Sequence, residues 1–401
     1  TTWDNVFPPA LDGWQYRKKI TIQENAGQDL TDYQIKLTVH YGSGTDSGSD
    51  IYLNEKCRSD FGDIRFTKDD GETLLDYWME EKVDSDYAVF WVKVPSIPAN
   101  GTAEIYVYYG NPDAAYAGSG DDTFLLFDDF DGDGLDTSKW SDYSHSLSLA
   151  VENGYLRIYG TRSAAEFNYI ASVNAYSRGI AIMYRAMLYS YSGTLYRIYM
   201  SRYQQDPGDT GSQYTEGCWS GSSNAWRLRV YDGSTSYTST LSGSYATGEW
   251  YRFELVIKSS GAKYVTKDGE IERSETYPAG DSHILLGGSG GSGSEEDSRY
   301  DWIAVRKYVE PEPSISAIGG EEYYLQETTT TIIVGEISAE FLNADGELLG
   351  QVYDAYDTQF YRFRKWPKGY GSFTYRNASS WGSSNASVGD KRMGILHAYC
   401  L

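Results

Sequence analysis

Short runs that alternate polar and apolar residues, separated by turn residues, dominate the chain. Residues 19–23 (K-I-T-I-Q), 34–39 (Q-I-K-L-T-V), 63–67 (D-I-R-F-T) and 103–109 (A-E-I-Y-V-Y-Y) each repeat with period two. That period puts alternate side chains on opposite faces, so it predicts antiparallel strands with one buried face. Residues 88–94 (A-V-F-W-V-K-V) are more apolar and read as a central strand. Asn100-Gly101 supplies the turn before the strand at 103–109. No convincing long helix and no internal repeat interrupts this pattern.

Residues 111–122 (N-P-D-A-A-Y-A-G-S-G-D-D) are polar and Gly-rich and mark a boundary. A second set of strands follows at 154–158, 179–186, 195–200, 226–231, 250–257, 264–265, 283–287 and 302–305. Glu310-Pro311-Glu312-Pro313 is a stiff exit from it. Beyond lies a tail in which 337–342 and 347–353 flank Asn343-Ala344-Asp345-Gly346, a good hairpin turn. The expected fold is all-β, with tandem antiparallel β-sandwich (jelly-roll-like) modules and a β-rich C-terminal tail. The expected limits are a leader at 1–13, a β domain at 14–118, a sandwich at 119–319 and the tail at 320–401.

Composition narrows the function classes. The 57 acidic residues against 34 basic ones give a net charge of −23, which repels phosphate backbones and argues against nucleic acid. The 38 Tyr and 42 Gly among 401 residues suit short strands and tight turns. No stretch reaches the roughly 18–20 apolar residues of a membrane span. Cys57, Cys218 and Cys400 form no C-x-x-C pair, so zinc and iron–sulfur sites find no support. With three thiols at most one intrachain disulfide can form, with Cys400 the candidate for a bond to another chain, or all three stay unpaired. The sequence opens on Thr1, as expected of a chain whose export signal has been removed. Sequons at Asn100, Asn377 and Asn385 fit a secreted, glycosylated, extracellular cell-surface protein.

Six motifs of the first module occur in order: W-Q-Y-R-K-K-I-T-I (14–22), L-T-D-Y-Q-I (30–35), C-R-S-D-F-G-D-I-R-F-T (57–67), D-G-E-T-L-L-D-Y-W-M-E (70–80), A-V-F-W-V-K-V-P-S-I (88–97) and Y-Y-G-N-P (108–112). This order resembles an uncharacterised extracellular β domain of archaeal and bacterial surface proteins, to which no catalytic chemistry is assigned. That family is commonly followed by a concanavalin-like (laminin-G-like) sandwich. Here F-D-D-F-D-G-D-G-L-D-T-S-K-W (127–140), G-Y-L-R-I (154–158) and Y-D-W-I-A-V-R-K-Y (300–308) resemble the opening, second and last strands of such a module.

Candidate chemistry is sparse. Asp129, Asp131, Asp133 and Gly134 match the alternating carboxylates and sharp bend of a D-x-D-x-D-G calcium loop, with Asp136 close by. Position twelve is Trp140 where a bidentate Glu is needed. The expected cofactor is therefore a structural Ca2+, weighed against a plain acidic turn. A glycanase needs a carboxylate pair across a sugar. The nearest string, Glu270-Ile271-Glu272-Arg273-Ser274-Glu275, follows a hairpin turn and reads as a solvated edge. None of His40, His145, His283 and His397 stands in a catalytic motif. Gly287–Gly293 precedes no helix and so is no phosphate cradle.

Two partner classes remain. Tyr191, Tyr199, Trp219 and Trp226 are candidates for stacking on a surface glycan, against the plainer role of packed strand aromatics. The apolar run Ile332, Ile333 and Val334 is suited to completing the sheet of another copy, with Cys400 as a second intersubunit candidate. The expectation is a non-enzymatic structural subunit of a surface layer or filament, self-assembling through its β modules and termini. A glycan-binding adhesin is the alternative and a glycoside hydrolase the distant one.

Overall fold

The computed structural model describes residues 11–209 and 211–323, and the backbone of four strands beyond them. Two compact units result, residues 1–326 and 327–401. The second unit is a four-stranded antiparallel sheet of β25 (Ala339–Leu342), β26 (Leu348–Val352), β27 (Tyr370–Asn377) and β28 (Ser380–Ser387), in the order β26-β25-β27-β28. The all-β expectation holds for the described residues, whose one helix is the four-residue α1 (Gly120–Thr123).

The first sandwich uses β1 (Tyr16–Gln23), β2 (Leu30–His40), β3 (Asp50–Tyr52), β4 (Arg65–Lys68), β5 (Tyr77–Val83), β6 (Tyr87–Ile97) and β7 (Thr102–Tyr109). One sheet runs β3-β2-β6-β5 and the other contains β1-β7-β4. The period-two runs meet as the pattern predicts. Ile20, Ile22, Ile35, Leu37, Phe66, Phe90, Val92, Ile105 and Val107 are buried between the sheets. The outer edge of the second sheet comes from far along the chain. β23 (Ser314–Ile318) pairs antiparallel with β1, Ile20 facing Ile318, and β24 (Glu322–Tyr323) pairs with the start of β1. Residues 314–318, which the sequence pattern attaches to the second module, thus pair with the first.

Between these ends sits the second sandwich. Its strands are β8 (Leu126–Asp128), β9 (Trp140–Tyr143), β10 (Ser148–Glu152), β11 (Tyr155–Thr161), β12 (Glu166–Ser172), β13 (Ile180–Ser192), β14 (Leu195–Gln204), β15 (Tyr214–Ser220), β16 (Ala225–Tyr231), β17 (Ser236–Leu241), β18 (Tyr251–Lys258), β19 (Gly261–Thr266), β20 (Gly269–Arg273), β21 (His283–Gly290) and β22 (Glu295–Lys307). An eight-stranded sheet runs β10-β11-β22-β13-β18-β19-β20, with β8 also on β22. A seven-stranded sheet runs β17-β16-β15-β14-β21-β12-β9. Large aromatics fill the space between them: Tyr184 donates its hydroxyl to the Tyr199 carbonyl at 2.7 Å, and Phe253 stacks on Tyr184 at 5.3 Å.

The two sandwiches are joined by a dry contact. Trp78 and Trp91 of the first meet Phe124, Phe127, Met183 and Trp302, with Trp78 edge-on to Trp302 at 5.2 Å. Beside it, Arg306 donates to Glu254 at 2.7 Å and to Glu312 at 2.5 Å, and its guanidinium lies 5.0 Å from the Trp91 ring centre. This contact covers one end of the outer face of the eight-stranded sheet. The other end is left open by the described residues.

Candidate functional site

The open end is built from three neighbouring strands. Tyr155, Arg157 and Tyr159 alternate outward on β11. Asp297 and Arg299 do so on β22, opposite Tyr159 and Arg157 in the register. On β13 the register shifts between Leu188 and Ser190, and the outward Tyr189 and the following Tyr191 are about half exposed. A shift of this kind inserts a residue and re-aims the side chains beyond it. A groove of about 300 Å³, lined by Arg157, Tyr159, Thr161, Tyr191, Glu295 and Asp297 among others, results.

Asp297 is the electrostatic centre. It accepts from Arg157 Nε at 3.1 Å and Nη2 at 2.8 Å, a two-pronged contact, and from Arg299 Nε at 3.1 Å. Burial works to raise its pKa, but the bonds from Arg157 and Arg299 outweigh that and hold it below the usual Asp value. The same guanidiniums lie against rings: Arg157 is 4.0 Å from the Tyr159 centre, and Arg299 is 3.7 Å from Tyr189 and 5.0 Å from Tyr155. At the end nearer the first sandwich, Trp250 meets Tyr155 edge-on at 6.2 Å. The result is a set of aromatic faces locked by cations and centred on a charged fork, with hydroxyls at the rim.

The sequence candidates are distributed otherwise. Tyr191 is on this groove. Tyr199, Trp219 and Trp226 are not surface aromatics: they are 2%, 3% and 0% exposed. They occupy inward positions of their strands, and Trp219 packs edge-on to Trp226 at 4.9 Å in the core. Their proposed glycan role is corrected accordingly. Asp129, Asp131, Asp133 and Asp136 are all exposed, and Asp136 accepts from the Ser138 amide and hydroxyl. Among the described residues no three His, Cys, Asp or Glu side chains gather where a metal ion could be held. The buried acid of this loop is Asp128, which accepts from Trp140 Nε1 at 2.7 Å and from the Phe130 amide at 2.9 Å.

Asn100 is exposed on the tight β6–β7 turn with φ +54°. Asn377 and Asn385 fall on β27 and β28. Ile332, Ile333, Val334 and Cys400 lie outside the described residues. Cys57 and Cys218 are buried, unpaired and in different sandwiches. Glu272 and Glu275 of the glycanase-like string pair with Lys258 and Arg273 on and beside the edge strand β20. Asp297, Arg157 and Arg299 were missed, although E-E-D-S-R-Y-D at 295–301 carries charge at every second position of a strand. No helix among the described residues is long and apolar enough to cross a membrane.

Comparison with known proteins gives the following. A family model described as a domain of unknown function, DUF2341, matches residues 60–143, the end of the first sandwich and the start of the second. No curated protein matches the chain in sequence. Solved structures that match include one reported under endo-acting O-glycanases that prominent human gut microbes express to initiate mucin breakdown (15% identity, 46% of this chain and 99% of that one, TM-score 0.37). Others are a β-glucanase of Bacillus licheniformis (12%, 45% and 97%, 0.37) and LamAcat of Zobellia galactanivorans (16%, 47% and 100%, 0.37). Several of the structures that match are named as glycoside hydrolases or glucanases. The expectation of a non-enzymatic, self-assembling structural subunit is therefore overturned and withdrawn.

Proposed function

We propose that the chain is a carbohydrate-recognising protein and that the groove on the eight-stranded sheet is its binding surface. The observation that carries this reading is the flanking of the Arg157–Asp297 fork by Tyr159 and Tyr191 in one groove, with Tyr189 beside it against Arg299. Sugar rings present apolar C–H faces and a rim of hydroxyls. Tyrosine rings pack against the former, and a fixed guanidinium–carboxylate pair supplies donors and acceptors to the latter. The three sequons and the acidic, Tyr-rich composition suit an exported protein that meets glycans outside the cell.

Glycan-array screening followed by calorimetry tests this reading. A saccharide ligand whose affinity falls at least about tenfold in Tyr159→Ala and in Tyr191→Ala is expected, the loss of one aromatic contact being worth roughly that factor. Binding untouched by both substitutions, or no saccharide bound at all, sinks it.

A further inference from the structure

The outer face of the seven-stranded sheet carries a second, unrelated cluster. Glu216 on β15 is fully buried and is surrounded by three guanidiniums. Arg197 donates from Nε to both its oxygens, at 3.0 and 3.1 Å. Arg202 donates from Nε at 3.0 Å and also from Nη2. Arg227 donates from Nη2 at 2.7 Å. Every charged partner of this carboxylate is an arginine. One negative charge therefore faces three positive ones, in a protein whose overall charge is −23. Side chains this enclosed are seldom left uncompensated, because an unpaired charge held out of water is costly.

Donors remain for a further acceptor. Arg227 Nε is buried and makes no hydrogen bond, and Arg197 Nη2 makes none among the described residues. The two side chains keep 12% and 15% of their surface open. The hydroxyls of Ser220 and Ser289 accept from them at 3.2 Å, and the Ser220 hydroxyl also meets that of Ser222 at 3.1 Å. Phe167 lies 4.6 Å from both Arg197 and Arg202, and Tyr214 lies 4.1 Å from Arg202, so flat apolar surface adjoins the charge. We infer that this patch binds an oxyanion, the carboxylate or sulfate of an acidic ligand, between Arg197 and Arg227. Each arginine brings one remaining donor, Nη2 from Arg197 and Nε from Arg227, so the group would take one charge-assisted bond from each. The site is on the sheet opposite the groove and does not rest on the reading given for it.

The test is titration of the full chain with sodium sulfate and with glucuronate, against sodium chloride at equal ionic strength and against glucose. Arginine Nε–H resonances are followed, those of Arg197 and Arg202 being found through their contacts to Phe167 ring protons. A saturable shift of the Arg197 and Arg227 signals is expected, absent with chloride and glucose. A response to sulfate alone points to sulfate esters, and one to glucuronate alone to carboxylates. Arg227→Gln should weaken binding about tenfold or more. If that variant does not fold, the wild-type signals still decide. Signals that do not move, that move equally with chloride, or an affinity unchanged in a folded Arg227→Gln protein would overturn the assignment.

Discussion

Arg252, on β18 of the second sandwich, donates its Nε hydrogen to Glu80, on β5 of the first. Glu80 is almost wholly buried and also accepts from Trp91 Nε1 at 2.7 Å, so one carboxylate fastens the two modules to each other. Removing it leaves two donors without their acceptor. Glu80→Ala is expected to cost about 3 kcal/mol, the low end for breaking a buried pair because Arg252 keeps Glu254 and some solvent. Urea unfolding of the variant measures this, and Glu80→Gln, which keeps an acceptor, should lose less.

Asp297 links the groove to pH. Its folded pKa lies below the ordinary carboxylate value, so the fork it makes with Arg157 and Arg299 adds stability above the unfolded pKa of about 3.9. That contribution is lost as pH falls through the lower folded value. Asp297→Asn should therefore be less stable than the parent at pH 7, by about 1 kcal/mol. The gap should close as pH falls below that folded value and the parent carboxylate is protonated. Melting curves of both proteins across that range measure it. Glycan affinity should weaken over the same interval.

Gly217 stands on β15 and faces Tyr264 on the opposite sheet of the second sandwich. A Cβ at this position would lie 2.3 Å from Cδ2 of Tyr264, whose ring is itself fully buried and bonded to Tyr184. Gly217→Ala must displace that ring, and overpacking of this kind costs about 1–3 kcal/mol. A lowered melting temperature checks it, and Tyr264→Phe in the same background should not restore stability, since the clash is with the ring.

Much of the fold was legible in the chain. The runs at 19–23, 34–39, 88–94 and 103–109 lie inside β1, β2, β6 and β7, because period two is imposed locally by the pleat. The pairing of β1 with β23 was not, since no local pattern tells which distant strand will meet an edge. The aromatic candidates failed for a related reason. Trp219 and Trp226 have the composition of a sugar-stacking pair, but their strand register turns them inward, and register is set by partners elsewhere in the sequence. Charge at every second residue, as at Glu295, Asp297, Arg299 and Asp301, was the readable sign of the groove.

The edge supplied by β23 can be tested directly. A chain ended after residue 326 keeps it, and one ended after residue 310 does not. The β1 amides that bond β23, slow to exchange in the longer protein, should exchange fast in the shorter one, while those that bond β7 stay slow. Hydrogen exchange read by mass spectrometry distinguishes them, and equal protection would show that β23 contributes nothing.

That same edge strand sets an order of events during synthesis. A ribosome releases the N-terminal strands first, and domains generally condense as they emerge. Here β1 must wait with one side bare until Ser314–Ile318 has left the exit tunnel, more than two hundred residues after Tyr109 and after the whole intervening sandwich. The inserted module can close first. The module that begins the chain is thus the later of the two to be finished.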